Sequence, residues 1–242
     1  MKYNVAPIKE AIFDIRIDNL EKSEIDSLEK LHTLISDRYP NKKRHINFIG
    51  KIEIKDNVQI NNETNSEIKG FIFSNKTNAC QVQFRLDGFT FNMLNPYSEW
   101  QEFSKEALRL WKIYEENLNP KSIVRIALRY INKIEIPLPM EKFQDYIVNI
   151  PPIPNILPQK FRNFFMQIDV PYDNNGTSIV LTETIEQPVQ NKLPFILDID
   201  AYKLGSISKD IKTLKKEFDK LRKIKNDTFE SCITDNTRKL FE

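Results

Sequence analysis

Apolar and polar residues alternate along much of the chain, and the phase of that alternation predicts its elements. Ala11, Phe13, Ile15 and Ile17 alternate with Ile12, Asp14 and Arg16, which predicts a strand over 11–17. A helix follows, with Ser23 as N-cap, Ile25, Leu28, Leu31 and Ile35 on one face, and an end before Pro40. Strands are then predicted over 46–55, 68–74, 80–86 and 89–94. The Asn-rich stretch 57–67 reads as an exposed hairpin tip, and Asp87-Gly88 as a tight turn. Cys80, Val82, Phe84 and Leu86 alternate with Gln81, Gln83 and Arg85. Ser98 and Gln101 form a capping box for a helix with the stripe Trp100, Phe103, Ala107, Leu110, Trp111, Tyr114 and Leu118, which Asn119-Pro120 ends.

The order then repeats. A long strand over 122–136 carries Val124, Ile126, Leu128, Tyr130, Ile134 and Ile136 in one phase, and a short helix is predicted over 140–147. The prolines of 151–158 remove donors and fix φ, so that stretch is an extended connector. Strands follow over 161–170, 178–186 and 194–202, with the turn Asp173-Asn174-Asn175-Gly176 between the first two. Ser206 caps a final helix with the stripe Ile207, Ile211, Leu214, Phe218, Leu221 and Ile224. The predicted class is α+β. Two duplicated strand–helix–antiparallel meander–helix halves, 1–120 and 121–242, form a curved antiparallel sheet with helices on one face, as one compact unit. This element order resembles the duplicated, saddle-shaped TATA-binding-protein-like architecture, a likeness of fold that carries no function.

Composition removes several chemistries. The 36 basic and 34 acidic residues of the 242 leave a net charge of +2, so no global nucleic-acid footprint follows. None of the five glycines lies in a GxGxxG or GxxxxGK[ST] pattern, so the backbone cradles for dinucleotides and triphosphates are missing. Cys80 and Cys232 are too far apart for a CxxC pair, which excludes a zinc ribbon and a thioredoxin-like site; both are expected as buried thiols, with one disulfide between them as the alternative. His32 is expected at a helix boundary. His45, after Lys42-Lys43-Arg44, is expected in a basic loop, with phosphate contact as the alternative. No cofactor is expected. No window approaches a membrane span, and the first residues lack a leader-like apolar run, so a cytoplasmic location is expected.

Three stretches carry a resemblance. Tyr3-Asn4-Val5-Ala6-Pro7-Ile8-Lys9-Glu10-Ala11, the run from Val124 through Arg129-Tyr130-Ile131-Asn132 to Pro137, and Phe229-Glu230-Ser231-Cys232-Ile233-Thr234 are similar to the start, core and end signatures of a sporadically distributed, uncharacterised prokaryotic protein family. Ala127 stands where that family usually has Gly, and Lys223 or Lys225 lies where a His often precedes the last Phe. The resemblance spans the chain and carries no catalytic residues. It implies a phage-defence or mobile-element locus.

Candidate chemistry sits on the second phase of the central strand. Arg125, Arg129 and Lys133 project from one side, and parity adds Asp14, Arg16, Gln81, Gln83 and Arg85, with Gln167, Asp169, Thr182, Thr184, Asp198 and Asp200 as further members. This face reads either as a solvated sheet with cross-strand ion pairs, such as Arg129 with Asp198 or Asp200, or as an anion, nucleic-acid or protein contact surface. Few aromatics share the phase, which weakens single-strand nucleic-acid binding. Lys209, Lys212, Lys215, Lys216, Lys220, Arg222, Lys223 and Lys225 crowd the final helix and read as a solvated face or as a second anionic contact. The leading expectation is a non-catalytic binding or accessory protein that recognises a protein partner or nucleic acid, with self-association open. The binding residues are then Arg85, Arg125, Arg129, Lys133, Lys216, Lys220 and Lys223. The alternative is a metal-dependent nuclease-like enzyme that uses Asp198 and Asp200, with Asp169 and Glu183 as further ligands.

Overall fold

The computed structural model describes residues 3–55, 58–94, 97, 99–159 and 161–242, with backbone alone over 48–55 and 58–65. Among the described residues nine strands form one sheet: β1 (Ile8–Ile17), β2 (Asn41–Lys55), β3 (Val58–Ser74), β4 (Cys80–Arg85), β5 (Gly88–Leu94), β6 (Ile123–Pro137), β7 (Phe165–Pro171), β8 (Thr177–Ile185) and β9 (Lys192–Ile207). The spatial order is β2-β3-β4-β5-β1-β6-β9-β8-β7, and every pairing is antiparallel. The class is therefore α+β, and the sheet runs unbroken past residue 120 because β1 pairs with β6.

Alternation decides the two faces. Phe13, Ile15, Phe73, Phe84, Phe89, Phe91, Ile126, Leu128, Phe195, Leu197 and Ile199 are buried on one side. The helices α1 (Ile25–Lys30), α2 (Trp100–Leu118) and α3 (Ile211–Cys232) cover that side. Phe13 stacks on Phe218 of α3 at 3.6 Å, and Tyr114 of α2 donates to the carbonyl of Arg85 at 2.7 Å. One apolar cluster takes Leu214, Phe218 and Leu221 from α3, and a second takes Ile224, Phe229 and Cys232, so α3 packs on both halves. Trp100 donates its indole N–H to Asp219 at 2.9 Å, which ties α2 to α3.

Several expectations are corrected. The Asn-rich stretch continues β3, which starts at Val58, because β2 runs antiparallel beside it through Lys55. The first helix is one short α-helical piece flanked by 3₁₀ turns, Lys22–Glu24 and Leu31–Leu34, and Ser23 lies inside the first turn. Only a 3₁₀ turn, Phe143–Asp145, stands where a helix was predicted over 140–147. Ser206 and Ile207 belong to β9. The cap of α3 is Asp210, whose carboxylate accepts the Thr213 N–H at 2.8 Å. Ser98 lies outside the described residues; Glu99 is the N-cap of α2, without a side-chain cap bond. Asn119, at φ 41°, ends α2 in the left-handed region before Pro120. A further short helix, α4 (Asp235–Lys239), was not anticipated.

Candidate functional site

The second face of the sheet is bare of helices, and parity places Asp14, Arg16, Arg85, Thr90, Asn92, Arg125, Arg129, Asp198 and Asp200 there. The register makes their partnerships. Asp14 lies between Thr90 of β5 and Ala127 of β6, and Arg129 lies opposite Asp200. Arg16 lies opposite Arg125, a like-charge pair that would repel without a bridge. Asp14 is the bridge: its Oδ2 accepts from Arg16 Nε and from Arg125 Nη1, both at 3.2 Å.

The lattice grows from there. Asp14 Oδ1 accepts from the Thr90 hydroxyl at 2.6 Å and pairs with Arg85 Nη2 at 3.3 Å. Arg85 also donates to Asp87 (2.8 Å), Gln83 (3.2 Å) and Thr90 (2.5 Å). Arg16 pairs with Asp87 as well. Arg125 donates from Nη2 to Asp200 at 2.8 Å and lies over the Tyr202 ring at 4.8 Å. Arg129 grips Asp198 through Nε (2.8 Å) and Nη2 (2.5 Å). Those bonds to Asp198 raise the guanidinium's pKa above its ordinary value. Burial raises the Asp200 carboxyl, against the pull of Arg125.

Two adjoining grooves open over this lattice. One, of about 610 Å³, is lined by Asp14, Arg16, Asn92, Arg125, Arg129 and Asp200 among others. The second, of about 460 Å³, shares Arg16, Gln83 and Arg85 with the first and reaches Lys22, His45 and Lys69. Their hydrogen-bonding capacity is not used up. Arg125 Nε and Arg129 Nη1 donate in none of the bonds above. The Oδ1 atoms of Asn92 and Asp200 and the Nδ1 of His45 are buried without a partner among the described residues. The grooves thus offer spare donors, beside groups whose unpaired atoms are shut away from the surface.

The expected residues divide. Arg125 and Arg129 line the larger groove. Arg85 is its floor: only 4% exposed, it spends its guanidinium inside the protein. Lys133 lies off to the side, paired with Glu186 at 2.6 Å. Lys216, Lys220 and Lys223 are exposed on α3, on the opposite, helix-covered side, so they do not join the arginines. Lys220 pairs with Glu217 and Lys223 with Asp227. Asp198 and Asp200 each hold an arginine. Glu183 points to the other face, where it is fully buried, and Asp169 accepts from Tyr202 at 3.0 Å. No group of three metal-ligating side chains occurs among the described residues.

Sequence reading missed Asn92 and misplaced His45 and Lys225. His45 lies in β2 and lines the smaller groove, where burial lowers its pKa; the basic run before it hid the strand. Asn92 alternates with Phe91 in β5, and parity could have found it. Lys225 is not on a solvated face. It is buried, its ammonium lies 3.6 Å from the Tyr130 ring centroid, and burial lowers its pKa to about 7.

The three resemblance segments meet in space. β1 pairs with β6 from Ile8 to Ile17, and Tyr3 donates to Glu230 at 2.8 Å while its ring meets Phe229 and Phe241. No family model matches the chain, and neither does any curated protein. Among the described residues no helix is long and apolar enough to cross a membrane.

Proposed function

We propose that this chain is a cytoplasmic, non-catalytic binding protein whose open sheet face holds an extended segment of a protein partner. The observation that carries the reading is the mixed lining of the larger groove, where the spare guanidinium donors of Arg125 and Arg129 stand beside Gln83, Asn92 and Asp200. A polypeptide backbone supplies both an N–H and a C=O at each residue and satisfies such a mixed lining. A phosphate backbone supplies acceptors alone and leaves the acceptors of that lining unanswered. The carboxylates beside the arginines also cancel the positive field that nucleic-acid binding draws on.

Two finer readings join it. The halves derive from an internal duplication: β1 and β6 sit at the sheet's centre, each flanked by the last strand of its own half, β5 and β9, and each half ends in a long helix. The meeting of the three resemblance segments supports membership of the sporadically distributed family, and with it a role in a defence or mobile-element locus. Superposition of the halves checks the first reading, and the gene neighbourhood the second.

A displayed random-peptide library and labelled DNA oligonucleotides, presented to the same protein, test the main reading. Peptides of mixed charge are expected to bind, and the double variant Arg125→Ala/Arg129→Ala to weaken them by at least about tenfold, or 1.4 kcal/mol. If no peptide binds, and DNA does with a steep salt dependence that the double variant flattens, the surface is a nucleic-acid interface instead.

A further inference from the structure

The sheet has two free edges, and they differ in character. β2 carries Lys42, Lys43, Arg44, Lys51 and Lys55, the kind of charge that blocks edge-to-edge pairing. β7, with sequence Phe-Met-Gln-Ile-Asp-Val-Pro, has no cation. It pairs with β8 alone among the described residues. Of the thirteen exposed large hydrophobic residues among the described ones, four, Phe165, Ile168, Val170 and Tyr172, fall within this strand or next to it. Ile168 and Val170 are 44% and 43% exposed although their neighbours in phase on β8, Leu181 and Ile179, are buried. The apolar side of the sheet thus extends beyond its own helices at this edge.

We propose that β7 pairs antiparallel with β7 of a second copy, about a two-fold axis at Ile168, to join two nine-stranded sheets into one. The strand is self-complementary in that register. Ile168 meets Ile168, and Met166 meets Val170 of the second copy, on the apolar side. Gln167 meets Asp169 on the other side, so each carboxylate faces an amide donor. An axis one residue further along sets Asp169 against its own copy, a like-charge pair that sheets disfavour. The backbone is oriented for this pairing. Tyr172 donates its N–H to Thr177 across the hairpin at 2.9 Å, so by alternation Val170, Ile168 and Met166 bond to β8, and Gln167 and Asp169 turn their N–H and C=O groups outward. Pro171, which has no N–H, then falls at an outward position, where edge strands tolerate it.

Sedimentation velocity over roughly 1–100 µM protein tests the pairing, since an association of this kind follows protomer concentration. A dimer is expected, and Ile168→Lys should weaken it at least about tenfold. Far-UV circular dichroism of that variant checks the fold. Gln167→Lys, opposite Asp169, is expected to tighten the dimer and Gln167→Asp to loosen it. Ile168→Cys is expected to oxidise to a covalent dimer across the two-fold axis, since directly opposed non-hydrogen-bonded residues bring their Cβ atoms within disulfide reach; Gln167→Cys is not. A monomer across the whole range overturns the proposal, as does a dimer that Ile168→Lys leaves intact. Equal behaviour of the two charged Gln167 variants overturns the register.

Discussion

Asp14 holds three arginines with two oxygens, and its position explains why the open face can carry so many guanidiniums. Arg85 is the costly member, because its side chain is only 5% exposed. Asp14→Ala leaves that cation short of a buried counter-charge and is expected to destabilise the fold by about 3 kcal/mol. Lys223 and Asp227 are 77% and 60% exposed in their side chains, so Lys223→Ala should leave stability almost unchanged. Urea unfolding of the two variants measures the difference, and equal losses would place the structural weight elsewhere. The pairing of Arg129 with an aspartate of the neighbouring strand was legible from alternation. That Arg85 is floor and Arg125 wall was not, since parity assigns a face and says nothing of depth.

At the scale of the element, β8 shows the same limit. Thr177, Ile179, Leu181, Glu183 and Ile185 share the inward phase, and Glu183 keeps the alternation with the wrong chemistry. It is fully buried, neither oxygen has a partner among the described residues, and burial raises its pKa from 4.5 to about 7. Folding therefore takes up a proton between those values. Stability is unpenalised below about pH 4.5, falls as pH rises to about 7, and stays reduced above it, by at most about 3 kcal/mol. Glu183→Gln should remove that slope, which thermal melts at pH 5 and pH 8 would show; an unchanged slope would assign it to another group. Helix α3 teaches a related lesson. Its apolar stripe was readable from Ile211 onward, but Ile207 reads equally as strand and helix, and tertiary pairing with Ile123 decides for strand. The burial of Lys225 left no trace in a lysine-rich run.

At the scale of the molecule, the class, the helix-covered face and the open polar face were readable, because nine alternating segments agree on them. The spatial order of the strands was not, since the β1–β6 junction depends on contacts between residues more than a hundred positions apart. That junction and the double packing of α3 predict that the two halves unfold together. Tryptophan fluorescence, which reports α2 through Trp100 and Trp111, and far-UV circular dichroism, which reports all the elements, should therefore give one coincident unfolding transition. Two separated transitions would show that the halves unfold independently.

The stacking of Phe13 on Phe218 joins β1 to α3, elements far apart in the chain. Loop closure over such a separation comes late and slowly. While the chain is being made, β1 can find β5 and Phe103 of α2 as soon as the first half emerges, yet its apolar side stays only partly covered until the 22 residues of α3 have left the exit tunnel. Chains that lack α3 therefore leave part of an aromatic face bare, of the kind that chaperones bind.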